Sequence, residues 1–141
     1  MEDRHLFKAM MKDNQEWARG SLVYTFTGTP YVVTEYDHIM NFISINEVDP
    51  STICQCTGLK DKNGNLIWEN DIVKISGFIS TVNGEYKVFF DTTNHCWALS
   101  RNICYHDSYF TFSDLNGFSE DCEVIGNKFD NKDLLEKEFF E

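Results

Sequence analysis

The residues of this 141-residue chain with the most specific chemistry are its five cysteines and four histidines. Cys54 and Cys56 alternate onto one face of an extended segment, so their thiols could converge. His95, Cys96, Cys104, His106 and Cys122 add further soft donors. A structural zinc site takes two Cys pairs, each spaced by two to four residues on a tight turn. Cys54 and Cys56 have one residue between them, and no second pair matches. The Cys-x-x-Cys spacing of a redox pair is missing as well. The thiols read as small buried apolar side chains, and neither a metal nor a cofactor is expected.

Other chemistries fare no better. Nucleophilic catalysis needs a nucleophile, a base and an orienting group. His38, His95 and His106 could each be paired on paper with a Ser, Thr or Cys, but no nucleophile elbow provides the context. Carboxylate pairs carry no information in a chain with 23 acids. No Gly-x-x-x-x-Gly-Lys or Gly-x-Gly-x-x-Gly run occurs to cradle a phosphate. Tyr105, Tyr109, Phe110 and Phe112 form an aromatic patch of the kind on which small barrels stack single strands. Such a platform also needs a basic groove, and Asp107 and Asp114 flank this patch with Arg101 as the nearby cation. The aromatics read as core. No catalytic residue and no metal ligand is assigned, and the binding residues stay unknown.

Charge narrows the partners. The formal net charge is −11 and the 12 basic residues are scattered. Duplex binding draws on clustered Lys and Arg, so nucleic acid and anionic membrane surfaces are disfavoured partners. The acids concentrate between Asp114 and Glu141, which hold nine acids and three Lys. That face could occupy the basic groove of a DNA-binding protein, with fast, salt-sensitive association. The longest apolar run, Cys96 to Leu99, is too short to span a membrane. The N-terminus carries no apolar signal region. A cytosolic protein with reduced thiols follows as the expectation.

The elements that must position these residues are mainly strands. Val, Ile and Thr total 28 and the aromatics 21, against 3 Ala. Branched and aromatic side chains suit a pleated, half-buried surface, and the best helix former is almost absent. Strands are expected at Leu6–Ala9, Trp17–Phe26 and Tyr31–Thr34. The first of the long ones would place Leu22, Tyr24 and Phe26 on one face. Asp37–Ile45 fits both a helical stripe and alternation, and is read as a strand. Thr27-Gly28-Thr29-Pro30 is a turn.

Further strands are expected at Thr52–Thr57, Leu66–Trp68, Asp71–Ile75, Cys96–Leu99, Tyr109–Phe112 and Glu123–Asn127. Asn63-Gly64 predicts a hairpin with positive φ at both central positions. Asn83-Gly84 predicts another, pairing Ile79–Val82 with Tyr86–Phe90. Asn131 is expected to cap a short terminal helix through Leu134, Leu135, Lys137 and Glu138. Strands at such intervals argue a small barrel or sandwich. The expected fold is mainly β, with a small, SH3-like or related β-barrel over 51–141 and an N-terminal β segment or subdomain over 1–50, divided at Asp49-Pro50.

The stretch from Thr52 to Gly64, reading TICQCTGLKDKNG, and Ile67-Trp68-Glu69-Asn70-Asp71-Ile72-Val73 after it, resembles the signature of the YopX-like phage and prophage proteins. Glu16-Trp17-Ala18-Arg19-Gly20 and the run from Cys122 to Asn131 are similar to further pieces of that family, in the same order. The family usually has Gly where Asn70 stands, often Gly at Gln15, and often Pro at Lys132. The resemblance implies a mainly β fold and no residue-by-residue activity. It implies that the motif residues are architectural: Asn63-Gly64 and Asn70-Asp71 set turns, Trp68 and Ile72 fill a core, and Gly58 and Gly126 sit at bends.

The functional expectation is a non-enzymatic accessory protein that acts by binding, with a protein partner or self-association open. Three alternatives stand beside it: an acidic decoy for a host DNA-binding protein, a self-assembling structural protein, and a metal-dependent or hydrolytic enzyme.

Overall fold

The structure is a computed structural model, and it describes residues 5–36, 42–76, 84–100, 109–111 and 121–133. Among these the strands are β1 (Phe7–Met10), β2 (Trp17–Tyr24), β3 (Pro30–Tyr36), β4 (Phe42–Glu47), β5 (Cys54–Lys60), β6 (Leu66–Trp68), β7 (Asp71–Ile75), β8 (Gly84–Asp91), β9 (Cys96–Ser100), β10 (Tyr109–Thr111) and β11 (Cys122–Asn127). They form two antiparallel sheets, ordered β4-β3-β2-β1-β5-β6 and β10-β9-β8-β7-β11. The mainly β expectation holds. The expected terminal helix falls on 134–141, outside the described residues. The chain divides into two compact units, Met1–Gly58 and Leu59–Glu141.

The first unit is a meander of four strands, a 3-10 turn at Pro50–Thr52, and a fifth strand that returns to pair with β1. Asp49 caps that turn, its carboxylate accepting from the Ser51 N–H at 3.0 Å, and Pro at the first position needs no donor. Ala9 stands opposite Ala18, and Leu22 opposite Val32. Directly opposed residues share a sheet face, and this face is the buried one. Ala9, Ala18, Val32 and Val48 form its core, with Met11, Leu22 and Ile53 against them. The small residues let backbones approach closely. A Cβ added at Gly20 would fall on the Val33 carbonyl, which explains Gly in mid-strand. A single bridge, Met11↔Val48, ties the far strands of this unit.

The second unit packs Ile67, Val73, Ile75, Tyr86, Val88, Leu99 and Cys122 into one core, with Trp97 and Val124 against it. Its five-stranded sheet stays open among the described residues, since no ladder joins β10 to β11. The barrel expected over 51–141 is therefore corrected to an open sheet there. β8 has two partners among the described strands: Gly84–Lys87 pair with β7 and Lys87–Asp91 with β9. The Ile79–Val82 segment expected to pair with it lies outside the described residues.

The turn between β5 and β6 carries the network that joins this unit. The Asp61 N–H donates to the Asn65 carbonyl and the Gly64 N–H to the Asp61 carbonyl. Gly64 has φ 82 and is left-handed, whereas Asn63 is not. This is a three-residue hairpin with a glycine bulge, not the two-residue turn expected from Asn-Gly. The reason is Asp61. Its buried carboxylate accepts from the N–H groups of Asn63 and Asn65 at 2.9 Å each, and from Val124 of β11 at 2.9 Å. Burial pushes this carboxyl up, but the three donors outweigh it and hold it below its usual 3.8. Lys62 adds an N–H bond to the Cys122 carbonyl and an ion pair to Glu123.

A second turn repeats the device. Asp71 is buried and accepts the Trp68 N–H at 2.8 Å. Asn70 between them has φ 69; it donates its N–H to Val88 and accepts from Lys128. One turn thus holds β8 and the residues after β11 together. Gln15 has φ 58. The two positions where this sequence departs from the family's glycine are both left-handed.

Two predictions follow from these turns. Asp61→Ala orphans donors on both the turn and β11, and should cost about 2–4 kcal/mol in urea denaturation at pH 7. Because the folded-state pKa lies below the unfolded one, the stabilisation is complete above the unfolded carboxylate range of about 4. It fades as pH falls through the lower folded value, so wild type and variant should converge in acid. Gln15→Gly removes left-handed strain from an exposed side chain and should raise stability by about 0.5–1 kcal/mol; an unchanged or lower midpoint would contradict this.

Candidate functional site

Among the described residues the structure takes several of the candidate groups into the scaffold. Cys54 and Cys56 are fully buried in the first unit, and the Cys54 thiol donates to the Thr52 carbonyl at 3.3 Å. Cys122 lies in the core of the second. Burial pushes its thiol up to about 12, with Asp61, Asp71 and Glu123 adding to the rise. A thiol held protonated in this way is a poor nucleophile at neutral pH. Cys96 is half-buried and His95 exposed, at a left-handed turn position with φ 54. Among the described residues no three His, Cys, Asp or Glu come together to hold a metal. Arg101, Cys104, Tyr105, His106, Phe112 and His38 lie outside the described residues. Tyr109 and Phe110 are placed in β10.

The acids tell the same story. Asp49, Asp61 and Asp91 each close a local turn. Asp91 takes the Thr93 and Asn94 N–H groups at 3.0 and 3.3 Å and the Asn94 side chain at 2.8 Å. The Asn94 donation above all lowers its pKa. Asn127 and Asn131 form a comparable knot. Asn131 turns its side-chain oxygen back to the Asn127 N–H, and Asn127 accepts from Phe129 and Asp130. Lys87 is half-buried, and burial together with Lys128 lowers its pKa.

Among the described residues the scaffold also leaves several large apolar side chains outward. β2 ends at Tyr24, and the chain turns through Thr25–Thr29 before β3. Phe26, expected as the last residue of the strand, sits in that turn and is fully exposed, at 106%. The turn is well tied. The Thr25 N–H donates to Thr29 O and Gly28 N–H to Thr25 O, both at 2.9 Å. The Thr25 hydroxyl accepts the Thr29 N–H at 3.0 Å and meets the Thr27 hydroxyl at 3.1 Å. Gly28, at φ 90, supplies the left-handed step. Thr25 here plays the part that Asp61 plays in its own turn. The signal was in the sequence: three threonines around Phe26 and Gly28 favour a side-chain-closed turn over a longer strand.

Beside the turn, Val23 and Tyr24 are exposed, at 47% and 56%. Val23 stands opposite Tyr31, Tyr31 opposite Glu47, and Val33 opposite Ile45. These pairs share the face opposite the core. Ile45 on β4 is 63% exposed. The candidate site is this outward face of β2–β4 with the rigid Phe26 turn at its end. Further along the same face Lys8 and Arg19 are direct neighbours on β1 and β2, with the Lys8 ammonium 4.7 Å over the Trp17 ring. No helix among the described residues is long and apolar enough to cross a membrane.

Comparison with known proteins agrees with the motif reading. The protein yopX from Bacillus subtilis, known from its crystal structure, aligns with a TM-score of 0.58 at 16% identity, over 93% of this chain and 98% of its own. The crystal structure of protein EF1440 from Enterococcus faecalis is 22% identical, over 92% of this chain and 96% of its own, with a TM-score of 0.46. No curated protein matches. The family model described as YopX protein matches residues 6–136. With nearly the whole length matched and the signature residues in their turns, the chain belongs to the YopX protein family.

Proposed function

We propose that this chain is a phage- or prophage-encoded accessory protein of the bacterial cytoplasm that acts by binding another protein, without catalysis. The observation that carries the reading is Phe26, an aromatic ring held fully in solvent by a hydrogen-bonded turn. A large apolar side chain fixed outward gains free energy when a partner covers it, and little ordering entropy is lost because the turn is already set. Val23 and Ile45, on the outward face of the same sheet, extend the apolar contact. The acidic-decoy reading is a charged version of the same behaviour. It draws on the net charge of −11 and predicts salt-sensitive association.

The test is capture from host lysate with the wild type and with Phe26→Ser, washed at low and at high salt. A protein held at both salts by the wild type, and at least about tenfold less by the variant, would support binding through the turn. A DNA-binding protein that leaves at high salt and ignores the variant would shift the reading to the decoy. Equal capture of the same salt-resistant protein by both would sink the role of Phe26.

A further inference from the structure

The described sheet edges differ in how they are closed. β6 and β10 span three residues each. β11 carries a bulge at Val124/Gly126, and its outward groups are taken: Val124 N–H by Asp61, and the Cys122 carbonyl by Lys62. β4 is different. It runs six residues, Phe-Ile-Ser-Ile-Asn-Glu, in unbroken register with β3, and no described strand lies beyond it. Proteins blunt such edges with Lys, Pro, bulges or short strands, and β4 has none of these.

Its outward groups can be identified. The Val48 N–H donates to the Pro30 carbonyl, so the even positions Asn46 and Ser44 face β3, because bonding direction alternates along a strand. Ile43, Ile45 and Glu47 then direct their backbone groups to the open side. Glu47 is already engaged: its carbonyl accepts the Lys12 N–H at 3.0 Å and its carboxylate pairs with the Lys12 ammonium at 3.4 Å. The open stretch is Ile43 to Ile45, centred on Ser44.

We propose that this edge pairs with the same edge of a second copy, antiparallel, about a two-fold axis through Ser44. Of the registers that keep the two faces continuous, one uses both open positions and leaves Glu47 to Lys12. It sets Ile43 opposite Ile45 of the second copy and Ile45 opposite its Ile43. Four backbone hydrogen bonds form, and Ser44 meets Ser44. The occupant follows from charge and symmetry. Two chains of net charge −11 repel, and residues 42–46 contain no ionisable group, so two copies can approach there with no carboxylate facing another. An isologous contact needs a self-complementary strip, and a strip centred on one residue with equivalent positions on either side is one. Ile45, 63% exposed, lies next to Val33 on the outward face, so the pairing extends that apolar row from one copy into the next.

The test is sedimentation velocity on the full chain over a wide concentration range, for the wild type, Ile45→Lys and Ile45→Pro. Lys places charge on the strip. Pro removes an outward N–H while leaving the β3 ladder intact. The wild type should show a monomer–dimer equilibrium that tightens with added salt as repulsion is screened. Each variant should dimerise at least about tenfold more weakly, with unchanged far-UV circular dichroism. Hydrogen exchange on the wild type supplies a readout that needs no variant: the Ile43 and Ile45 amides should gain protection as concentration rises. A wild type monomeric throughout, with those amides unprotected, would overturn the proposal and leave the edge to a strand of another protein. A dimer that neither variant weakens would overturn it too. Phe26→Ser should dimerise as the wild type does, so this inference and the proposed function fail separately.

Discussion

The buried carboxylate of Asp61 is the constraint on which the second unit depends. One oxygen closes the β5–β6 hairpin by accepting two N–H groups four and two residues ahead; the other accepts from Val124, on a strand 63 residues later. Burying a charge is costly unless donors surround it, and here backbone N–H groups supply them. Local turn and distant strand are satisfied by the same group, so neither is complete without the other. Asp71 and Asn70 repeat the pattern from the next turn, reaching Val88 and Lys128. The most recognisable stretch of the sequence is thus a set of polar joints among strands that are otherwise ordinary apolar alternations.

This explains what could be read from the sequence and what could not. Alternation placed most strands within a few residues, and β4 emerged from the ambiguous Asp37–Ile45 region as a strand over Phe42–Glu47. Asn70 was legible as a left-handed position, since the glycine it replaces has a backbone reason, whereas the left-handed Gln15 was not. The turn chemistry was less legible. Asn63-Gly64 looked like a two-residue hairpin because its residue types permit one; the Asp61 side chain, two residues earlier, selects a longer turn. Phe26 looked like a strand residue by alternation, and the Thr25 hydroxyl pulled the chain out of the strand. In both cases a side-chain acceptor at the first turn position overrode the local pattern. Partnering of β8 with β7 and β9 was not legible, because hairpin signals report neighbours in sequence and carry no information on sheet order.

The candidate site was the least legible part, for a physical reason. Residue types announce catalysis or metal binding through polar atoms, and among the described residues several of those atoms are used internally. Cys54, Cys56 and Cys122 are buried, and Asp49, Asp61 and Asp91 each close a turn. An apolar contact surface announces nothing, since Val, Phe and Ile occur in any strand and become significant only when the fold turns them outward.

The two halves of this observation are connected. A fold whose joints are aspartate and asparagine side chains can leave apolar residues outside without losing its core, because the turns hold the strands in register. Register is weakly specified where both faces of a strand are alike. β2 and β3 nonetheless stay in step through the Thr25–Thr29 turn and the Gly20–Val33 close approach. The outward row of Val23, Ile45 and the half-buried Tyr31 and Val33 therefore does not depend on full burial for its position. That is the property an interaction surface needs: apolar groups fixed in place before the partner arrives. In this chain the side-chain-closed turns and the close backbone approach hold the strands, and with them the outward apolar row, in place.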